Sequence, residues 1–172
     1  MKIETLFFLL FMSMFQAQNL AFKPAKVSYS DFKNLVTEIE PYREQRLINF
    51  DTFIEMSKQK NVVILDTRSD NRYKRKHLKG VLHLAFTDFT QANLKKIIPN
   101  PNTKILIYCN NNFEDDEVDF ASKIYIPSKE TTESNFSQDQ QKPISLALNI
   151  PTFINLFGYG YKNILRYSFT YL

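Results

Sequence analysis

The sequence predicts an α/β protein whose parallel sheet is covered on both faces. Short β-branched apolar runs recur along the chain, Val62-Val63-Ile64-Leu65 being the clearest. Each is long enough for a buried strand and too short for a helix. Segments with helical apolar spacing separate these runs. Strands that alternate with helices pair in parallel, because each crossover brings the chain back to begin the next strand in the same direction.

The elements follow in order. Ser30-Asp31 offers a cap for a helix carrying Phe32, Leu35, Val36 and Ile39 and ending near Pro41. Leu47-Ile48 is a short strand. Asn49 caps a second helix through about Lys58, with Phe50, Phe53, Ile54 and Ser57 on one face and Asp51 in its first turn. The strand ending at Asp66 comes next, then Thr67-Arg68-Ser69-Asp70 and a short polar helix over Asn71 to Lys76. Gly80 ends that segment, and Val81 to Ala85 is a third strand. Gln91 to Ile98 is amphipathic and stops at Pro99. Glu117 to Ser122 is expected to form one to two helical turns. Residues 127–142 are polar, lack apolar period and read as a flexible surface insertion. Pro151 suits the first turn of a helix carrying Phe153, Ile154, Leu156 and Phe157, and Ile164 to Tyr167 is the last strand.

The chain has 172 residues, enough for one ordinary domain and a leader. Its net charge of +4 is spread in blocks of both signs, which excludes a nucleic-acid footprint. Residues 1–18 read as a signal peptide, with Lys2 before the apolar run from Leu6 to Met12. That run is short for a bilayer span, so export to the periplasm is expected, with an uncleaved anchor as the alternative. Residues 19–46 are then a linker and N-terminal helix.

The most informative stretch is Thr103-Lys104-Ile105-Leu106-Ile107-Tyr108-Cys109 followed by Asn110-Asn111-Asn112-Phe113-Glu114-Asp115-Asp116. An apolar strand delivers the only cysteine to its C-terminal end. Asparagines suited to tight turns follow, then acids suited to a helix N-terminus. In open α/β sheets ligands bind outside the carboxyl ends of the strands. Such a loop would cradle a thiolate. Set against this, a lone Cys at a strand end is ordinarily a small buried apolar residue. With one Cys and two His residues, neither an intrachain disulfide nor a credible metal set is expected.

Asp66-Thr67-Arg68, then Tyr73, His77-Leu78-Lys79-Gly80-Val81, resembles the rhodanese segment Asp-x-Arg, an aromatic, then His-Ile-x-Gly-Ala. Cys109 follows at the family distance, and Gly160-Tyr161-Lys162-Asn163-Ile164 is similar to the family's late turn into its last strand. The resemblance implies a rhodanese-like domain over 47–172, a three-layer α/β/α fold around a five-stranded parallel sheet with the Cys strand in the middle.

It also implies sulfur transfer. The Cys109 thiolate would attack the outer sulfur of a donor such as thiosulfate, becoming a persulfide that a thiol or cyanide then relieves of its sulfur. Thiolate must be favoured over thiol for this, and loop N–H groups would stabilise the anion without a cofactor or metal. The implied partners are a thiosulfate or persulfide donor and a thiol acceptor, with a protein partner in reserve. A membrane enters only if the leader is retained. Family loops read Cys-Arg-x-Gly-x-Arg or end in Thr. Here Asn110 replaces Arg, Asn112 takes the Gly position as the best non-Gly residue at positive φ, and Glu114 replaces the last residue. Glu114 brings negative charge to a site meant for anions, which would raise the Cys pKa. Asp66 and Arg68 are expected to brace the loop. The alternative is a non-catalytic rhodanese-like binding module of the cell envelope. A Cys-dependent phosphatase is disfavoured, because Asp115 stands where that chemistry needs Arg.

Overall fold

The computed structural model describes residues 26–113, 115–126 and 144–167. The segments expected to be a signal peptide (1–18) and a surface insertion (127–142), and Glu114, lie outside the described residues. The chain divides into two compact units, residues 1–31 and 32–172. In the first, Lys26 pairs with Asp31 at 2.7 Å, and Ser28 Oγ accepts from Asp31 N.

Helices α1 (Tyr29–Glu44), α2 (Phe50–Ser57), α3 (Asp70–Arg75), α4 (Gln91–Ile97) and α5 (Asn149–Gly158) punctuate a sheet of strands β1 (Leu47–Ile48), β2 (Val62–Asp66), β3 (Leu82–His83), β4 (Lys104–Tyr108) and β7 (Ile164–Tyr167). All pairings in this five-stranded sheet are parallel, in the order β1-β7-β4-β2-β3. The strand that leads to Cys109 is therefore central, with neighbours on both sides to satisfy its backbone.

Alternation along β4 sends side chains to two cores. Ile105 and Ile107 join Leu94 of α4, Phe153 and Leu156 of α5, and Ile39 of α1. Leu106 and Tyr108 join Phe53 of α2 and Phe120, with Tyr73 of α3 packed alongside. A sheet clothed on both faces is the three-layer arrangement, and it explains why β4 has no polar residue after Lys104.

Local chemistry sets the boundaries. Asn49 Oδ1 accepts from Thr52 N at 2.9 Å, and Thr90 Oγ1 accepts from Asn93 N at 3.1 Å, each meeting a free donor of a helix start. Gly160, at φ +94°, makes the left-handed turn that leads into β7. Helix α1 runs through Pro41 rather than ending there. Proline near a C-terminus loses one backbone bond, while Tyr42 beyond it still packs against Phe157 and Phe153.

Three local expectations are corrected. Cys109 is followed by a 3-10 turn (Asn110–Asn112), not by a helix N-terminus. Residues 117–119 form a turn, closed by Phe120 N donating to Asp116 O, rather than helical turns. The strand near Val81 shrinks to Leu82–His83. An unexpected antiparallel pair, β5 (Ile124–Tyr125) and β6 (Ile144–Ser145), brings together the two sides of 127–143.

Candidate functional site

Register places the parts. Asp66 lies opposite Tyr108 in the β2–β4 ladder, one residue before Cys109. Asp66, Arg68, Tyr108 and Cys109 are all essentially inaccessible to solvent. Arg68 donates from Nη2 to Asp66 Oδ2 at 2.7 Å and from Nε to Oδ1 at 3.0 Å, and its backbone N donates to Oδ1 at 2.9 Å. Its remaining donors reach the carbonyls of Asp119 (3.0 Å) and Lys76 (2.6 Å). The guanidinium also stacks 4.2 Å from the Phe120 ring centroid. Tyr108 Oη donates to Asp66 Oδ2 at 2.6 Å. Burial pulls the Arg68 pKa down, but the bonds and charge of Asp66 more than restore it, and the net shift is upward. Burial, and then Asp66, push the Tyr108 pKa up, so its hydroxyl stays a donor. Arg68 thus ties the end of β2 to the end of α3 and to the segment beyond the Cys109 loop.

The loop is built on Asn112. Its Oδ1 accepts from Cys109 N at 2.8 Å, and its Nδ2 donates to Tyr167 O at 3.0 Å. Asn111 Oδ1 accepts from Lys123 N at 2.8 Å, while Asn110 is buried with Oδ1 unpartnered. Phe113 packs its ring 4.6 Å from Phe120 and 5.9 Å from Tyr108. The left-handed residue is Asp115, at φ 61°, not Asn112, whose amide holds it inside the 3-10 turn. Aspartate tolerates that conformation better than most side chains. The loop's Glu114 lies outside the described residues.

The acids beyond the loop are matched by the basic residues at the end of α3. Lys76 Nζ lies 2.7 Å from Asp116 Oδ2, Arg75 Nε lies 3.1 Å from Asp119 Oδ1, and Arg72 Nη1 donates to Val118 O at 3.1 Å. His77 Nδ1 contacts Tyr73 O at 2.7 Å, and the two rings stack. Among the described residues no cluster of three or more His, Cys, Asp or Glu is placed to hold a metal ion.

Cys109 Sγ is not presented to solvent. The residue is 0% exposed, and burial pushes its thiol up to about 11. Backbone hydrogen bonds from Asn110 and Leu148, and the charge of Lys123, favour the thiolate, but they do not overcome desolvation and the opposing charge of Asp66. A cavity of about 620 Å³ lies beside the loop, lined by residues that include Arg43, Asn111, Phe113, Asn149, Arg166 and Tyr167. Cys109 is not among its walls.

The match to the rhodanese-like domain family spans residues 49–144, more than half of the chain. This chain belongs to the rhodanese-like domain family. No curated protein matches it. The rhodanese-like domain carries Cys109 at the tip of its central strand, and Asp66, Arg68 and Asn112 converge on that tip. Motif spacing does not reveal the cavity residues Arg43, Asn149 and Arg166. One signal was available. In Ile164-Leu165-Arg166-Tyr167, strand alternation puts a cation on the same face as Ile164, which packs into the core.

Proposed function

We propose that this rhodanese-like domain works as a binding module whose ligand enters the cavity beside the Cys109 loop. The observation that carries the reading is the position of the sulfur, fully buried and outside the cavity wall. A thiol with a pKa of about 11 is ionised to roughly one part in ten thousand at pH 7. Nucleophilic attack on thiosulfate needs both an ionised sulfur and contact with the donor. Placement in the cell envelope accompanies this reading. It predicts a mature N-terminus near residue 18, and a mature protein beginning at Met1 in the cytosol would refute it.

Sulfur transfer through a Cys109 persulfide is the second reading. It is favoured by the cysteine at the tip of the central strand and by the backbone hydrogen bonds from Asn110 and Leu148 to its sulfur. Intact mass spectrometry after incubation with thiosulfate, and separately with glutathione persulfide, distinguishes the two. The module reading expects unmodified protein from both. A gain of one sulfur that disappears in Cys109→Ser and is removed by cyanide would establish the transferase instead.

A further inference from the structure

The cavity is lined by two arginines, Arg43 of α1 and Arg166 of β7, both partly buried. Among the described residues neither guanidinium forms an ion pair or donates a hydrogen bond, and both Nε atoms are buried without a partner. Glu40 and Glu44, on the same helix as Arg43, act on it only through space. Arg166 feels burial and the like charge of Arg43, which together pull its pKa down to about 10. Two cations are thus held near one another at the wall of a cavity, and among the described residues no carboxylate is bonded to either guanidinium. A folded chain bears that cost only when something else returns it.

The rest of the lining narrows what could. Asp115 and Glu117 also line the cavity, but both are exposed, and Glu117 Oε2 already accepts from Ser122 N at 3.0 Å. They belong to the rim. Phe113, Ile150 and Tyr167 supply apolar wall. Asn149 is 3% exposed, lines the cavity and has an unpartnered Oδ1. Being the first residue of α5, it also lies at the positive end of a helix. A volume of about 620 Å³ exceeds what an inorganic anion fills and falls in the range of small-molecule sites.

We propose that this cavity binds a small organic oxyanion. Arg43 and Arg166 hold its carboxylate or comparable head group, and Phe113 and Tyr167 hold its apolar body. The proposal rests on the reading of the cavity as the module's ligand site and supplies the ligand's chemical class. Guanidinium is the side chain best matched to such a head, because its planar fork meets two oxygens at once.

Titration of the isotope-labelled full chain with benzoate, followed by amide shifts, tests this. Benzamide, of the same shape without the charge, is the control. Benzoate should saturate, with the largest shifts at Asn111, Phe113 and Asn149, and benzamide should bind at least about tenfold more weakly, the scale of one lost charge-assisted contact. Arg166→Met should weaken benzoate by about tenfold or more while raising the melting midpoint of the ligand-free protein, because it removes a buried unpaired charge. Arg43→Gln repeats the affinity measurement if Arg166→Met does not fold. Benzoate that fails to saturate, benzamide that binds equally well, or variants that keep full affinity would overturn the site. Saturable benzoate binding together with persulfide formation at Cys109 would overturn the module reading and leave the anion site standing. No benzoate binding with no persulfide would overturn the anion site alone.

Discussion

Arg68 and Arg166 occupy comparable places in the sheet and are treated in opposite ways. Arg68 stands just past the end of β2, and its guanidinium is engaged by Asp66, by the carbonyls of Asp119 and Lys76, and by the face of Phe120. Arg166 stands near the end of β7 beside a second arginine, and among the described residues its guanidinium has no hydrogen-bond or ion-pair partner. A satisfied buried cation is a structural joint: it joins three segments and offers nothing to a ligand. An unsatisfied one is a binding group in waiting. Burial of charge alone does not mark a site; the tally of its partners does.

Removing the joint should produce the largest effect. Arg68→Ala leaves Asp66 buried and uncompensated and frees the carbonyls of Asp119 and Lys76. The expected loss is about 3–5 kcal/mol, the range for breaking a buried pair by deleting one partner. Urea unfolding followed by circular dichroism measures it. If Arg68→Ala costs no more than Arg166→Met, the contrast between the two arginines is void.

The contrast also explains what can be read from the chain and what cannot. Strands β2 and β4 are legible because apolar runs of that length rich in Val and Ile have few other uses, β7 because Ile164-Leu165 follows the turn at Gly160, and the alternation of strand and helix forces the parallel sheet. Asp66, Arg68 and Cys109 are legible as a group because family spacing brings two adjacent strand ends together. The 3-10 turn after Cys109 is not, because reciprocal bonds between Asn112 and Cys109, Asn112 Oδ1 with Cys109 N among them, stand in place of the expected helix. Nor is the pairing of β5 with β6, each two residues long. The acids after the loop and the bases of α3 are plain in composition, yet only the tertiary turn sets Asp116 against Lys76. Arg43 and Arg166 come from opposite ends of the domain to line one cavity within electrostatic reach of each other, a juxtaposition that no local pattern encodes.

A smaller effect should come from Cys109, whose neighbours include both Asp66 of the joint and Leu148, next to the cavity's Asn149. Its thiol is raised from 9.0 to about 11, so the folded protein holds this proton more tightly than the unfolded chain. Stability from this source is full below pH 9 and is lost as pH rises toward 11. Wild type should therefore lose about 1 kcal/mol relative to Cys109→Ala between pH 9 and 10, the linkage expected of one group deprotonating only when unfolded. Parallel curves for the two proteins from pH 7 to 10 would mean that the sulfur is solvated, and the case against a reactive Cys109 would lose its main support.

The smallest effect should come from the exposed edge of the joint. Lys76 and Asp116 lie 2.7 Å apart, but the lysine side chain is 61% exposed and its partner 21%. Solvent and salt screen such a pair, and holding a long side chain in one geometry offsets much of the attraction. Lys76→Ala keeps the backbone carbonyl that accepts from Arg68 Nη2, so the joint itself survives. Its melting midpoint should stay close to wild type at physiological salt and separate from it slightly at low salt. A large loss at both salt concentrations would show that the acidic segment after the Cys109 loop is held by its surface ion pairs. The division between a buried joint that carries stability and an exposed fringe that does not would then have to be redrawn around Asp116.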